Sequence, residues 1–210
     1  MKTMIAIPCM DTVPVGFVNS LLQLDKPEGT SISFQPNSMI YDARNLLTLT
    51  ARENQFDRVL WLDSDMTFQP NTLRRMASQM SEKKYDLITG LYFRRTLPTK
   101  PVLFKNIEEP YRDENGRMVS AVTDYLDYPE DSVFDIAGCG FGCVMTTVKL
   151  LNDVWEAFGP PFSPYPWAGE DISFCYRAAL LGAKMVCDSR IKLGHIGMIQ
   201  YSDDMYERRT

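Results

Sequence analysis

Two aspartates one residue apart, Asp63 and Asp65, end the apolar run Val59-Leu60-Trp61-Leu62. Carboxylates that converge repel one another unless a cation lies between them, and hard oxygen ligands suit Mg2+ or Mn2+. A second acidic pair, Glu170-Asp171, follows the proline- and aromatic-rich loop Gly159 to Gly169 and offers a general base. The chain's one histidine sits between glycines in Gly194-His195-Ile196-Gly197, which reads as an exposed tail whose imidazole has freedom to approach a metal. Each feature also has a plainer reading. Asp-Ser-Asp can be a solvated turn, acidic residues in a helix's first turn complement its dipole, and a lone histidine is often structural.

The elements that must position these groups follow from periodicity. Val59 to Leu62 is apolar on both faces, as a central strand of a parallel sheet covered by helices must be. Its two carboxylates then lie just past the strand's carboxyl end, the edge at which open α/β sheets bind ligands. Upstream, Lys2–Pro8 reads as a first strand, Pro8 to Val15 as a loop, Val15–Leu24 as a helix and Ile32–Gln35 as a second strand. A helix from Asn37 or Ser38 places Met39, Ile40, Ala43, Leu46, Leu47 and Thr50 on one side, with Asp42, Arg44 and Asn45 on or near the other. Strand, helix, strand is the opening rhythm of a nucleotide-binding α/β fold.

Downstream, Gln69-Pro70-Asn71-Thr72 starts a helix with Leu73, Met76, Ala77 and Met80 on its inner stripe, and Tyr85–Thr89 forms a strand closed by Gly90. Residues 91–131 read as a flap in which Val102–Lys105 and Met118–Val122 form a hairpin pair around the turn Asp113-Glu114-Asn115-Gly116. Val133–Ala137 runs into Gly138-Cys139-Gly140-Phe141-Gly142, whose glycines admit either close approach of a ligand or tight packing of neighbouring strands. Val148–Phe158 is a helix, a second runs from Glu170 to Gly182, and Lys184–Cys187 is the last strand.

Totals narrow the classes. The 210 residues fit one domain, with 45% hydrophobic and 23% charged residues ordinary for a globular chain. A formal charge of −5 offers no basic field, so nucleic acid is not an expected partner. No apolar run is long enough to span a membrane, and the first eight residues are too short and too soon interrupted by Pro8 for a signal peptide. Five cysteines in mostly apolar contexts read as reduced core thiols and a cytoplasmic location. Cys139 and Cys143 lack the second Cys/His pair a zinc site needs.

In order, Ala43-Arg44-Asn45, the strand ending Asp63-Ser64-Asp65, Trp167 through Gly169-Glu170-Asp171, and Gly194-His195 resemble the nucleotide-sugar glycosyltransferases of the GT-A fold. The first half is similar to family 2 enzymes. The second resembles polypeptide N-acetylgalactosaminyltransferases and β-1,4-galactosyltransferases. This resemblance implies an α/β, mostly parallel, Rossmann-like sheet flanked by helices with a small antiparallel flap. It divides the chain into a nucleotide-binding half, 1–68, and an acceptor-side half, 69–210, that carries the flap. It implies that Asp63, Asp65 and His195 hold Mn2+ or Mg2+ against the diphosphate of a UDP- or GDP-sugar. Pro8, Arg44 and Asn45 would line the nucleotide site, Trp167 would offer a face to a sugar, Asp171 would be the base if the reaction inverts, and Glu170 would orient acceptor or donor hydroxyls, with the acceptor and the anomeric outcome left open. Gln35-Pro36-Asn37 departs from the aspartate that many family 2 enzymes place there, which leaves the base undefined. Two rival readings are a haloacid dehalogenase-type phosphatase using Asp63 and Asp65, and a non-catalytic sugar-nucleotide-binding module.

Overall fold

The computed structural model describes residues 1–119, 122–197 and 200–203. In chain order its elements are β1 (Thr3–Cys9), α1 (Val15–Gln23), β2 (Thr30–Pro36), α2 (Ile40–Glu53), β3 (Arg58–Leu62), β4 (Met66–Thr67), α3 (Thr72–Lys83), β5 (Leu87–Leu91), β6 (Leu103–Ile107), β7 (Tyr111–Arg112), β8 (Met118–Val119), β9 (Val122–Asp124), β10 (Val133–Asp135), β11 (Gly138–Cys139), β12 (Cys143–Thr147), α4 (Val148–Phe158), α5 (Glu170–Leu180), β13 (Met185–Lys192), β14 (Gly194–Ile196) and β15 (Gln200–Tyr201).

Seven strands form the main sheet in the order β10-β13-β5-β12-β3-β1-β2. β2, β1 and β3 are parallel, as are β5 and β13, while β12 runs antiparallel between β3 and β5 and β10 antiparallel at the edge. The chain is therefore a mixed α/β protein with a mostly parallel sheet. Val59, Leu60, Trp61 and Leu62 are fully buried. Their side chains alternate between two cores, as a strand's period of two requires. Trp61 enters the core that holds Phe141, Phe162 and Phe174, and Leu60 and Leu62 enter the one that holds Phe17, Leu73 and Met76. With both faces covered, the carboxylates can only follow the strand, at its carboxyl end.

The flap pairs differently from expectation. β6 joins β9 and β11 in a three-stranded antiparallel sheet, while Tyr111–Arg112 and Met118–Val119 form their own small hairpin across the expected turn. The turn is closed by the Gly116 N–H donating to the Asp113 carbonyl, 2.9 Å, with Gly116 at φ +74°. Residues 120 and 121 of the expected second strand lie outside the described residues. Gly90 lies inside β5 and does not close it. A Cβ there would come within 2.8 Å of Leu193 Cδ1 and 2.9 Å of Ile191 Cγ2, so glycine is what lets this neighbouring segment cross the strand closely.

β13 does not stop at Cys187. Asp188, the next residue, is fully buried and held by Arg75 Nε at 3.0 Å, Arg190 Nε at 2.7 Å and Gln79 Nε2 at 2.5 Å. With those partners a carboxylate can continue in the sheet. The expected exposed tail is likewise a strand: β14 pairs antiparallel with β4, with His195 opposite Met66. The Ile196 N–H donates to the Asp65 carbonyl at 2.7 Å and the Leu193 N–H to the Leu91 carbonyl at 3.0 Å. That pairing carries the histidine to the end of β3.

Candidate functional site

At the carboxyl end of β3, Asp63 is fixed by its own N–H, which donates to the Gly142 carbonyl at 2.9 Å. Its carboxylate turns inward to Arg44, whose Nη2 lies 2.7 Å from Asp63 Oδ1 and whose Nη1 donates to Glu170 Oε1. Arg44 is only 2% exposed, with its guanidinium carbon 5.4 Å from the centre of the Phe141 ring. The polar-face position expected for it is thus overturned. The buried stripe of α2 is Ala43, Arg44, Leu47, Thr48 and Ala51, and the apolar Met39, Ile40 and Leu46 point outward. A buried guanidinium needs carboxylate partners, and Asp63 and Glu170 supply one to each of its two terminal nitrogens.

The charges here shift one another. Burial lowers the Arg44 pKa, but Asp63, Glu170 and Asp171 more than reverse that, so it stays a cation. Burial pushes the Asp63 carboxyl up; Arg44 pulls it back and Asp65 pushes it up again, leaving it above the ordinary value. Asp171, at the N-terminus of α5, is pushed up to about 6 by burial and by Glu170, against the pull of the Ile172 N–H and Arg44. A carboxylate with a pKa near working pH is well matched to accept a proton.

Asp65 meets a different set of partners. Its Oδ2 lies 2.9 Å from Arg95 Nη1 and 3.5 Å from His195 Nε2. Burial pushes this carboxyl up, but His195 and Arg95 outweigh it and hold Asp65 below the ordinary carboxylate value. His195 Nδ1 lies 2.9 Å from the Phe93 carbonyl. A carbonyl can only accept, so Nδ1 carries a proton, and Nε2 is the ring nitrogen that faces Asp65. An imidazole nitrogen facing a carboxylate oxygen at 3.5 Å suits a divalent cation that takes the place of the proton between them, with the remaining positions left for phosphate oxygens and water. Among the described residues no group of three His, Cys, Asp or Glu side chains is placed to hold a metal ion.

A cleft of about 340 Å³ leads to these carboxylates, lined by Pro8, Cys9, Met10, Ser38, Met39, Ile40, Asp63, Ser64 and Asp65. Pro8 thus lines one cleft with Asp63 and Asp65. Asn45 is not among these residues: its Oδ1 accepts the Phe162 N–H at 3.0 Å and so anchors the proline-rich loop. It borders a wider groove of about 640 Å³ on the outer face of α2, where Asp42 is the one titratable carboxylate. The chemistry accordingly belongs to the smaller cleft. Trp167 stacks on Tyr165 with ring centres 5.4 Å apart, so one face of the indole is already covered. The glycines at 138, 140 and 142 make room for side chains: a Cβ at Gly140 would lie 2.3 Å from Tyr92 Oη, and one at Gly138 would lie 2.5 Å from Ile107 Cδ1. Tyr92, which periodicity did not single out, accepts the Gly142 N–H at 3.1 Å and sets its ring edgewise to His195 at 5.6 Å. Arg95 was missed too, and the dibasic step Arg94-Arg95 opening the flap was its only trace in the sequence.

The sequence matches no protein-family profile and no curated protein. Solved structures do match. A197 from STIV aligns with TM-score 0.65 at 18% identity over 94% of this chain and 86% of its own. GalNAc-T7, crystallised with UDP, GalNAc and Mn2+, aligns with TM-score 0.60 at 11% identity over all of this chain and 45% of its own. The fold is GT-A-like. S. aureus TarS aligns with TM-score 0.52 at 17% identity over 90% of this chain, which spans 35% of TarS. Measured against these two glycosyltransferases, the GT-A-like chain spans less than half their length, and the likeness is one of fold. No helix among the described residues is long and apolar enough to cross a membrane.

Proposed function

We propose that this GT-A-like chain is a metal-dependent glycosyltransferase that moves a sugar from a nucleoside diphosphate sugar to an acceptor hydroxyl. The observation that carries the reading is the pairing of His195 Nε2 with Oδ2 of Asp65, a residue that lines the Pro8–Asp65 cleft, together with Arg44 tying Asp63 of that cleft to Glu170 at the start of α5. Support also comes from GalNAc-T7, a protein of this fold whose structure holds UDP, GalNAc and Mn2+.

Asp65 and His195 would be the direct ligands of Mn2+ or Mg2+, with Asp63, whose Oδ1 is engaged by Arg44, acting through water. A bound divalent ion supplies positive charge to the departing nucleoside diphosphate. Pro8, Cys9 and Met10 with Ser38 and Met39 would receive the base and ribose of a UDP- or GDP-sugar. Asp171 would accept the proton of the attacking hydroxyl, and Glu170, held by Arg44, would position hydroxyls of donor or acceptor. Arg44 itself, buried with both arms engaged, is a positioning residue and not a phosphate ligand. In this division residues 1–68 bind nucleotide, 69–210 carry the acceptor side, and Trp167 borders the acceptor. A phosphatase using Asp63 as nucleophile fits less well, because one oxygen of that carboxylate is already tied to a buried arginine.

The test is incubation with UDP- and GDP-sugars with and without Mn2+, following release of the nucleoside diphosphate. Metal-dependent release from one donor supports the reading. Tight donor binding with no release, even with a panel of hydroxyl acceptors, would make the chain a binding module. Hydrolysis of a simple phosphate ester would make it a phosphatase.

A further inference from the structure

The turn that opens the flap carries three cations, and they are used unequally. Its base is closed by the Arg94 N–H donating to the Lys100 carbonyl at 2.8 Å and by the Thr99 hydroxyl donating to the Arg94 carbonyl at 2.6 Å. The side chains of Arg94 and Lys100 both turn to Asp124, at 2.5 and 3.3 Å. Arg95 alone of the three meets a residue of the cleft: its Nη1 lies 2.9 Å from Asp65 Oδ2 and 3.2 Å from the Ile196 carbonyl. It therefore shares one carboxylate oxygen with His195, the oxygen that would serve a metal.

Its exposure decides what that contact is for. The Arg95 side chain is 48% exposed, and an ion pair open to water is weak and readily exchanged. A guanidinium is also the group best shaped to meet phosphate oxygens through paired N–H donors. We propose that Arg95 is a displaceable cation of the donor site. It holds Asp65 while the cleft is empty, then turns to the diphosphate of an incoming sugar nucleotide, freeing Asp65 and His195 to bind a divalent ion. This rests on the function proposed above, and it adds a donor-binding residue and a coupling. Nucleotide draws Arg95 off the metal ligand, so each ligand strengthens the other, and by linkage the gain is reciprocal.

The coupling gives the Arg95→Gln variant a signature that a merely structural role would not produce. Titrated calorimetrically with Mn2+ alone, the variant should bind about three- to tenfold more tightly than the wild type, because no guanidinium competes for Asp65. Titrated with UDP or GDP at saturating Mn2+, it should bind about fivefold or more weakly, because a charged phosphate contact is gone. Shifts of opposite sign support the proposal. Unchanged Mn2+ affinity, or two shifts of the same sign, would overturn it while leaving the glycosyltransferase reading intact. A wild type that binds neither Mn2+ nor either nucleotide would overturn the functional reading and this inference with it. The exposed position keeps the variant folded, which a matching melting temperature in ligand-free buffer would verify.

Discussion

The inner and outer ends of the acidic site both set an arginine against carboxylates, but one is buried and the other half in water. Arg44 is 2% exposed and joins Asp63 to Glu170; Arg95 is 48% exposed and touches Asp65. The two aspartates of the single Asp-Ser-Asp motif are driven apart as well: burial raises Asp63 above the ordinary carboxylate value in spite of Arg44, while His195, with Arg95, holds Asp65 below it. Neighbouring carboxylates whose environments push them in opposite directions have separate roles. The inner one belongs to a fixed frame that aims Glu170 and Asp171. The outer one stays ionised and available, with a partner that can be exchanged.

The comparison is broken most forcibly at Arg44. Arg44→Met leaves Asp63, Glu170 and Asp171 without their shared cation, and loss of one partner of a buried ionic group costs about 3–5 kcal/mol. Denaturant unfolding at neutral pH should show a loss of that size, whereas a loss below about 1 kcal/mol would mean the inner frame does not depend on Arg44.

Asp171→Asn should reduce sugar transfer about a hundredfold or more, the usual weight of a general base. In the wild type, transfer should fall as pH drops through about 6, the value to which burial and Glu170 raise Asp171. The effect on stability has the opposite sense. A carboxyl whose pKa is raised in the folded state contributes stability that is fully present below its unfolded value and lost as pH rises through about 6. Asn, which mimics the protonated acid, should therefore raise the melting temperature at pH 8 and lose that advantage near pH 4. A variant no more stable than wild type at pH 8 would remove the buried charge from the account.

Gly140→Ala sharpens the boundary between the two ends, since the new methyl would strike Tyr92, the side chain packed against His195. Overpacking of this kind costs about 1–3 kcal/mol. Weaker Mn2+ binding should accompany it if His195 is aimed by that ring; an unchanged metal affinity would assign Tyr92 to packing alone. The smallest effect is expected of Asn45→Ala, which orphans the Phe162 N–H for about 1 kcal/mol, with transfer lowered only through the proline-rich loop.

How much of this was legible in the sequence follows from the range over which each residue acts. Val59 to Leu62 announced a central strand because burial on both faces is written in four adjacent residues, and the placement of Asp63 and Asp65 follows from it. The start of α5 at Glu170 was equally local. Arg44 was not legible, since its partners lie 19 and 126 residues away and no periodicity marks a charged residue as buried. His195 looked free because its strand pairs with Met66, a contact fixed only once β5 and β13 lie side by side. Arg95 sits in an irregular turn where no repeat exists to read.

The central claim is that Asp65 and His195 form the metal end of a nucleotide site, and calorimetry of UDP and GDP with and without Mn2+ tests it most directly, comparing wild type with His195→Ala. The account predicts that one nucleotide binds the wild type tightly only when Mn2+ is present, and that the variant loses this dependence with the tight binding. Equal affinity in wild type and variant, or wild-type binding indifferent to Mn2+, would contradict it.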